Sequence, residues 1–273
     1  MYRDPRQVLR AHGIWSKKHF GQNFLIDPSA PDRIAAAGGA GPEDVIFEIG
    51  PGVGTLTRAL AQRAGRVIAL EYDTDLVPVC RAELADCPHV EVRAGNVLDV
   101  DWAALAAEVG RPLIVYGNVP YHLSTGILTG LLEVPAAWRR ACFLLQREFA
   151  RRAAASPGDK ECSALSAAVA LGCHATLALE VPAQSFHPVP KVDSAVLVLE
   201  RRERPAVDVE PRAFRTVVRA LFAQRRKMAR KALKAVHADP EALLAAAGLD
   251  PTRRGETFTV EELGALARAL DSA

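Results

Sequence analysis

Short apolar strands alternate with helices along most of this 273-residue sequence, and this alternation restricts the fold more than any other feature. The strand candidates are DVIFEIG (44–50), RVIALE (66–71), HVEVRAGN (89–96), PLIVYGN (112–118), the start of RRACFLLQREFARR (139–152), ATLALEV (175–181) and SAVLVLE (194–200). Most of them are separated by segments in which apolar residues recur with helical spacing, such as STGILTGLLE (124–133). The pattern predicts an α/β fold with a doubly wound, Rossmann-like parallel sheet that helices cover on both faces.

The last part of the chain has a different pattern. RRERPAVDVEP (201–211) has the composition of a linker, and beyond it Phe214, Val217 and Leu221 begin an amphipathic helix. DPEALLAAAG (239–248) and TVEELGALARAL (259–270) supply two further helices, each opened by an acidic or hydroxyl residue. We therefore predict two domains, a doubly wound one over residues 1–203 and a small all-α one over residues 204–273.

Charge is distributed unevenly between these two parts. Residues 201–273 contain 15 Lys and Arg against 10 Asp and Glu. Residues 1–200 contain the remaining 19 Lys and Arg against 22 Asp and Glu. Residues 212–234 contain nine basic residues and no acidic one. An acidic body with a basic C-terminal part favours a polyanionic partner.

Cysteine and histidine usage argue against a disulfide framework and against a metal site. The five cysteines are odd in number and contain no Cys-x-x-Cys pair, and the seven histidines are scattered without a ligand pattern. No apolar run approaches the length of a membrane span, and the first twenty residues lack the apolar core of a signal peptide. We expect a cytoplasmic protein with reduced thiols, no metal and no membrane contact.

The segment EIGPGVGT places Gly50, Gly52 and Gly54 directly after a strand and before a helix. Glycine allows a sharp turn and a close approach of the backbone to a ligand at the carboxyl end of a strand. The spacing lacks the two-residue gap of the dinucleotide fingerprint, and Pro51 removes one N–H that could have bound a pyrophosphate. Because Glu71 ends the next strand, where a carboxylate can accept hydrogen bonds from both ribose hydroxyls, S-adenosylmethionine (SAM) fits better than NAD.

The segment GNVPY ends a neighbouring strand with an unusual set of groups. Asn118 offers a side-chain carbonyl, and Val119 and Pro120 offer backbone carbonyls whose direction the proline ring restricts. Such acceptors suit an exocyclic amine, and Tyr121 offers a face on which a base can stack. In a parallel sheet this strand end borders the crevice of the glycine loop. The set could therefore hold the N6 atom of an adenine in line with a methyl sulfonium.

The sequence resembles the ribosomal RNA adenine dimethyltransferases over about residues 17–260. The motifs that carry the resemblance occur in the family's order and spacing: HFGQNFL (19–25), FEIGPGVGTLT (47–57), GNVPYHLST (117–125), LLQREFARR (144–152) and FHPVPKVDSAV (186–196). FAQRRKMARKAL (222–233) is similar to the KsgA/RsmA branch, which acts on small-subunit RNA. The resemblance implies N6,N6-dimethylation of two adjacent adenosines near the 3′ end of 16S rRNA in the 30S subunit, with SAM as methyl donor. It also implies a role in small-subunit biogenesis, and a monomer is the default expectation.

The resemblance assigns roles to individual residues. The catalytic set is Asn118, Pro120, Tyr121 and Phe186, in which Phe186 sandwiches the target base against Tyr121. The cofactor-binding set is Gln22, Asn23, Leu25, Gly50, Gly52, Gly54, Glu71, Asn96 and Asn118. Three positions depart from the family. Asn96 stands where an Asp is usual, and Cys162 and Ala164 replace a Tyr and an Arg in a loop expected to touch RNA or the active-site wall. Asn96 can still accept a hydrogen bond, but without charge assistance.

Basic residues are expected to bind RNA phosphates and to make binding depend on salt. They are Lys17, Lys18, Arg147, Arg151, Arg152, Arg225, Arg226, Lys227, Arg230, Lys231 and Lys234. Two other functions stay open at this stage, a large-subunit (23S) adenine methyltransferase of the macrolide-resistance type and an assembly factor that acts mainly by binding. An NAD-linked dehydrogenase is disfavoured by the glycine spacing.

Overall fold

The computed structural model describes residues 2–17 and 20–272, and within them the chain forms nine strands and twelve α-helices. The strands are β1 (Phe24–Leu25), β2 (Val45–Ile49), β3 (Arg66–Glu71), β4 (Val90–Ala94), β5 (Leu113–Asn118), β6 (Trp138–Gln146), β7 (Cys173–Val181), β8 (Phe186–His187) and β9 (Ser194–Arg201). The helices are α1 (Pro5–Ala11), α2 (Ala30–Ala37), α3 (Thr55–Ala61), α4 (Leu76–Glu83), α5 (Trp102–Val109), α6 (Ser124–Glu133), α7 (Arg147–Ala153), α8 (Ala164–Gly172), α9 (Pro211–Ala223), α10 (Ala229–Ala232), α11 (Pro240–Ala246) and α12 (Val260–Asp271). None of these helices is long and apolar enough to cross a membrane.

Seven strands form one sheet in the order β4-β3-β2-β5-β6-β9-β7. The pairs β2–β3, β3–β4, β2–β5 and β5–β6 are parallel, whereas β9 runs antiparallel to β6. Successive residues of β3 and β5 are buried, as expected for strands with both faces covered. The predicted doubly wound α/β fold is therefore confirmed. Its strand order reverses between β2 and β5, which is where open α/β sheets bind ligands.

A second, two-stranded sheet joins distant parts of the chain. Strand β1 pairs antiparallel with β8, so that Phe24 lies opposite His187 and Leu25 opposite Phe186. Leu25 and Phe186 are both buried, and they belong to the same apolar cluster as Ile34 of α2. This pairing fixes the end of the N-terminal segment against the body of the sheet.

The chain divides into two compact units. One contains Met1–Ala150 and Thr176–Arg201, and the other contains Arg151–Ala175 and Arg202–Ala273. The second unit is built around α9 and α12, and Ala167 of α8 is buried in the same apolar cluster as Phe214 and Val217 of α9. The segment 151–175 thus packs with the C-terminal helices, although it precedes the expected boundary at residue 203. No local pattern in the sequence announces this long-range packing.

Candidate active site

A cavity of about 380 Å³ opens at the carboxyl ends of β2, β3 and β5, where the strand order reverses. Its volume lies in the range of about 300–1,000 Å³ that is typical of small-molecule sites. Most of the residues that the sequence assigned to cofactor or target base line it. They are Gln22, Asn23, Leu25, Gly50, Gly52, Glu71, Asn96, Asn118, Pro120 and Tyr121.

The glycine loop between β2 and α3 requires its glycines. Gly50, Gly52 and Gly54 have φ angles of 68°, 60° and 86°, in the left-handed region that costs other residues energy. A Cβ atom on Gly52 would lie 3.1 Å from Cε1 of Phe24, so the loop passes close under the N-terminal segment. A Cβ on Gly54 would instead meet Leu84 at 3.1 Å. Gly54 therefore serves packing against α4 and lies outside the cavity lining formed by the described residues.

Glu71, at the end of β3, is 6% exposed and is held by two backbone groups. Its Oε2 accepts a hydrogen bond of 2.9 Å from the N–H of Gly52, and its Oε1 accepts one of 2.8 Å from the N–H of Asp73. Burial raises the pKa of the Glu71 carboxyl, while the two N–H groups oppose that rise. The carboxylate is thus oriented by the loop it faces, and each oxygen keeps a lone pair for a hydroxyl donor.

A second acid, Glu48 on β2, also lines the cavity and is 1% exposed. Its Oε2 is buried without a hydrogen-bond partner among the described residues. Burial, together with the charge of Glu71, raises the pKa of Glu48 to about 8. A hydrogen bond from Thr57 and the backbone N–H groups at Glu71 oppose these rises, but burial outweighs them, so the pKa of both carboxyls lies above its ordinary value.

Asn118 is fixed by the N-terminal segment. Its Nδ2 donates a hydrogen bond of 2.8 Å to the backbone carbonyl of Asn23, and in the described part of the chain its Oδ1 accepts none. Ile49 lies opposite Gly117 in the β2–β5 register, so Asn118 borders the glycine loop as expected. The amide oxygen is therefore the atom left for a ligand.

The residues after Asn118 form a short 3₁₀ turn at the mouth of the cavity. The carbonyl of Pro120 accepts a hydrogen bond of 2.9 Å from the N–H of Leu123, which leaves one lone pair for a ligand. The hydroxyls of Tyr121 and Ser194 share a hydrogen bond of 3.0 Å, and burial raises the pKa of the Tyr121 phenol. This bond holds the Tyr121 ring in place.

Asn96 lines the cavity and begins the 3₁₀ turn Val97–Asp99. Its Oδ1 accepts a hydrogen bond of 3.1 Å from the N–H of Leu98, so the single oxygen of this amide already has one partner. An Asp at this position would offer a second oxygen. The departure from the family therefore affects the acceptors available to a ligand rather than the turn itself.

The segment 20–25, called the strap below, crosses the mouth of the cavity. Its residues line the cavity from Phe20 to Leu25, and the ring of Phe20 packs edge-on against Tyr72 with centroids 5.3 Å apart. Phe186, which the sequence placed against the target base, is 1% exposed and packs in the apolar core beside Leu25. It lies outside the cavity lining formed by the described residues, so its stacking role stays a prediction.

The basic residues expected to bind RNA lie in several environments. Lys17 forms ion pairs with Asp73 and Asp75, and Arg147 pairs with Asp193 at 3.1 Å. Arg151 and Arg152 lie on α7, and Lys18 lies outside the described residues. Arg225, Arg226 and Lys227 occupy the turn after α9, Arg230 pairs with Glu241, and Lys231 and Lys234 are exposed. Contact of these residues with RNA stays a prediction.

Sequence reasoning missed several lining residues, notably Glu48, Tyr72, Asp73, Leu98 and His122. Glu48 lies two residues before the first glycine of the loop, and Tyr72 and Asp73 directly follow Glu71. Their positions at or near the carboxyl ends of predicted strands were the signal that could have identified them as lining residues. The structure also describes the loop whose residues differ from the family at Cys162 and Ala164. Cys162 is buried, and Ser163 caps the start of α8 through a capping box with Ser166.

Comparison with known proteins agrees with this geometry. The family model described as "Ribosomal RNA adenine dimethylase" matches residues 15–267. A relative from Magnetococcus marinus, "Ribosomal RNA small subunit methyltransferase A", is 42% identical over 261 residues, which is 95% of this chain and 94% of the relative. The crystal structure of the 23S rRNA methyltransferase ErmE is 30% identical with a TM-score of 0.72 and covers 91% of this chain and 100% of its own. A dimethyladenosine transferase from Plasmodium falciparum shares the fold at 22% identity, with a TM-score of 0.75 over 89% of this chain and 95% of its own. On its sequence and its fold alike, this chain belongs to the ribosomal RNA adenine dimethylase family.

Proposed function

We propose that this protein transfers methyl groups from SAM to the N6 atoms of two adjacent adenosines near the 3′ end of 16S rRNA, within the 30S subunit. In this proposal residues 1–203 bind SAM and catalyse transfer, and residues 204–273 bind RNA. The protein acts as a monomer in the cytoplasm and takes part in small-subunit biogenesis. Four observations support the cofactor: the cavity volume, the carboxylate of Glu71, the close approach of the backbone at Gly52, and the presence of Tyr72 and Val97 in the cavity lining.

The orientation of Asn118 is the observation that carries the proposal. Because the NH₂ group of Asn118 is bound to Asn23, the side-chain oxygen is the free end at the cavity. An oxygen acceptor orients an exocyclic amine and stabilises the positive charge that develops on nitrogen during attack. If the amide were flipped, its NH₂ group would face the NH₂ group of the adenine, and it could neither orient the amine nor stabilise its positive charge.

The chemistry needs alignment more than proton transfer. When bound, SAM supplies an electrophilic methyl group on a positively charged sulfur. Asn118 and the carbonyl of Pro120 hold the amine in the attacking direction, and Tyr121 holds the plane of the base. The proton of the methylated amine can leave to water. A second transfer requires that the pocket also accept an amine that already bears one methyl group.

The small-subunit substrate is favoured over the large-subunit one by degree of similarity. The relative from Myxococcus xanthus named "Ribosomal RNA small subunit methyltransferase A" is 43% identical over 97% of this chain, whereas ErmE is 30% identical. The basic turn at Arg225, Arg226 and Lys227 belongs to the segment that resembles the small-subunit branch.

The test is methyl transfer from labelled SAM to unmethylated 30S subunits, with 50S subunits and protein-free 16S RNA alongside. We expect N6,N6-dimethyladenine on two adjacent adenosines of the 30S subunit. An Asn118→Ala protein should still bind the subunit but transfer at least a hundredfold more slowly at saturating SAM. Label on 50S RNA alone would overturn the substrate. SAM binding without transfer to any RNA would favour a factor that acts mainly by binding.

A further inference from the structure

Asp73 connects the loop after β3 to the strap. Its side chain is 3% exposed and accepts three hydrogen bonds. Oδ2 accepts one of 2.7 Å from Nε2 of Gln22, and Oδ1 accepts one of 2.7 Å from Nζ of Lys17 and one of 3.1 Å from the N–H of Asp75. Burial acts to raise the pKa of Asp73, but the bonds from Lys17 and Gln22 outweigh it and hold the pKa below its ordinary value.

The orientation of Gln22 makes the charge of Asp73 necessary. Its Oε1 accepts a hydrogen bond of 2.7 Å from the N–H of Lys17, so its NH₂ group must find an acceptor on the other side. A carboxylate can meet Gln22 with one oxygen and Lys17 with the other. An amide at position 73 would place an NH₂ group against one of these two donors.

The next residue of the strap, Asn23, holds the side chain that the proposed function uses for transfer. The carbonyl of Asn23, the residue after Gln22, accepts the hydrogen bond from Nδ2 of Asn118. A Cβ on Gly21 would lie 3.6 Å from both Pro120 and His122, so the strap also runs close to the turn after Asn118. Two adjacent residues of the strap, Gln22 and Asn23, therefore connect Asp73 to Asn118.

We propose that Asp73 is a positioning residue for methyl transfer: by fastening the strap through Gln22 and Lys17, it holds the Asn23 carbonyl where it fixes the amide of Asn118. This inference rests on the proposed function, because it assigns Asn118 the role of acceptor. Release of the strap lets the Asn118 amide rotate, and its oxygen then faces the target amine for only part of the time. The position of the strap and the orientation of the Asn118 amide are thus coupled.

The chain offers a matched control in Asp75. Asp75 also pairs with Nζ of Lys17, at 2.6 Å, but its side chain is 62% exposed and has no bond to Gln22. An exposed ion pair contributes little, typically less than about 1 kcal/mol. Asp75→Asn removes the same charge from the same lysine and leaves the path from Asp73 to Asn118 intact.

The experiment compares Asp73→Asn, Asp75→Asn and wild type in single-turnover transfer to 30S subunits at saturating SAM, with the KM for SAM measured separately. We expect Asp73→Asn to transfer at least about tenfold more slowly at saturation, as a misplaced catalytic group would, and Asp75→Asn to stay within about twofold of wild type. Hydrogen exchange of the strap should accelerate in Asp73→Asn only. Gln22→Met serves as a second variant should Asp73→Asn unfold, and it should slow transfer in the same way.

Three results would overturn the inference. In one, Asp73→Asn raises only the KM for SAM and transfers at the wild-type rate at saturation, which would limit Asp73 to cofactor binding. In another, Asp75→Asn loses as much rate as Asp73→Asn. In the third, Gln22→Met transfers normally. An inactive wild-type protein would instead contradict the proposed function, so the two failures are distinguishable.

Discussion

Replacing Glu48 with Gln should remove a pH dependence of stability that the buried acid imposes. The pKa of Glu48 is raised from 4.5 to about 8 because the carboxyl is buried and faces the charge of Glu71. Below pH 4.5 the carboxyl is protonated in both the folded and the unfolded chain, so it has no effect on the balance. Between pH 4.5 and about 8 the unfolded chain releases the proton while the folded one keeps it, so stability falls as pH rises. Above about pH 8 the contribution is constant.

The size of this loss follows from the two pKa values. At about 1.4 kcal/mol per pH unit, the wild-type free energy of unfolding loses up to roughly 5 kcal/mol across that range from this one group. The figure is an upper limit, since solvent that reaches the cavity stabilises the charged form. Glu48→Gln keeps the shape and cannot ionise. The buried NH₂ group that it introduces lowers the free energy of unfolding by the same amount at every pH. The test is therefore how the free energy of unfolding changes with pH, not its value at any one pH.

The assay is urea unfolding without cofactor at pH values from 5 to 8.5, followed by tryptophan fluorescence. All three tryptophans, Trp15, Trp102 and Trp138, lie in the same compact unit as Glu48, so the signal reports on that unit. We expect the free energy of unfolding of wild type to fall by several kcal/mol more than that of Glu48→Gln over this range. Curves that run parallel within about 0.5 kcal/mol would show that Glu48 does not retain its proton in the folded state.

Three further outcomes can be measured on the same protein. Asn96→Asp should bind SAM about fivefold more tightly in a calorimetric titration, because a charged second oxygen adds about 1 kcal/mol to a hydrogen bond; unchanged affinity would show that this position does not contact the cofactor. Gly52→Ala should weaken SAM binding about tenfold, because a left-handed backbone costs a non-glycine residue about 1–2 kcal/mol and the new Cβ would press on Phe24. The control Gly110→Ala has a similar φ of +75° but open space around its Cβ, and it should bind SAM normally. Lys227→Gln should lower the slope of log affinity for 30S subunits against log salt by about 0.7–1, and an unchanged slope would remove this residue from the RNA interface.

Elements with a strong local pattern were predictable. The run RVIALE was expected as a strand and is β3 (Arg66–Glu71), and STGILTGLLE was expected as a helix and is α6 (Ser124–Glu133). Helix α5 (Trp102–Val109) was not identified, because it buries only Trp102 and Leu105, too few for a clear apolar stripe. A pattern is recognisable only when an element buries several residues, and a short helix that buries two does not supply them.

The contacts that complete the site were beyond sequence reasoning, because they join distant residues. Lys17 was expected to bind RNA, and its charge gave no sign of the ion pair with Asp73, which lies 56 residues away. No local pattern indicated the β1–β8 pairing that buries Phe186, because this pairing depends on where the N-terminal segment returns to the sheet, and the role of Phe186 at the target base stays a prediction. The type of a residue shows which interactions its side chain can make, whereas long-range packing determines which partner it meets.

The division of charge in the cavity explains why an amide rather than a carboxylate suits position 118. Glu48 lies one residue before the end of β2 and Glu71 ends the adjacent β3, and burial disfavours charge on both. Glu71 has two backbone donors that oppose the rise of its pKa, whereas the pKa of Glu48 is raised to about 8, so Glu48 keeps its proton at neutral pH. A third carboxyl at position 118 would be driven toward its protonated form by the same burial and repulsion, and would then donate where the target amine needs an acceptor. The amide of Asn118 accepts at every pH, provided that its NH₂ group is occupied, and the Asn23 carbonyl meets that condition.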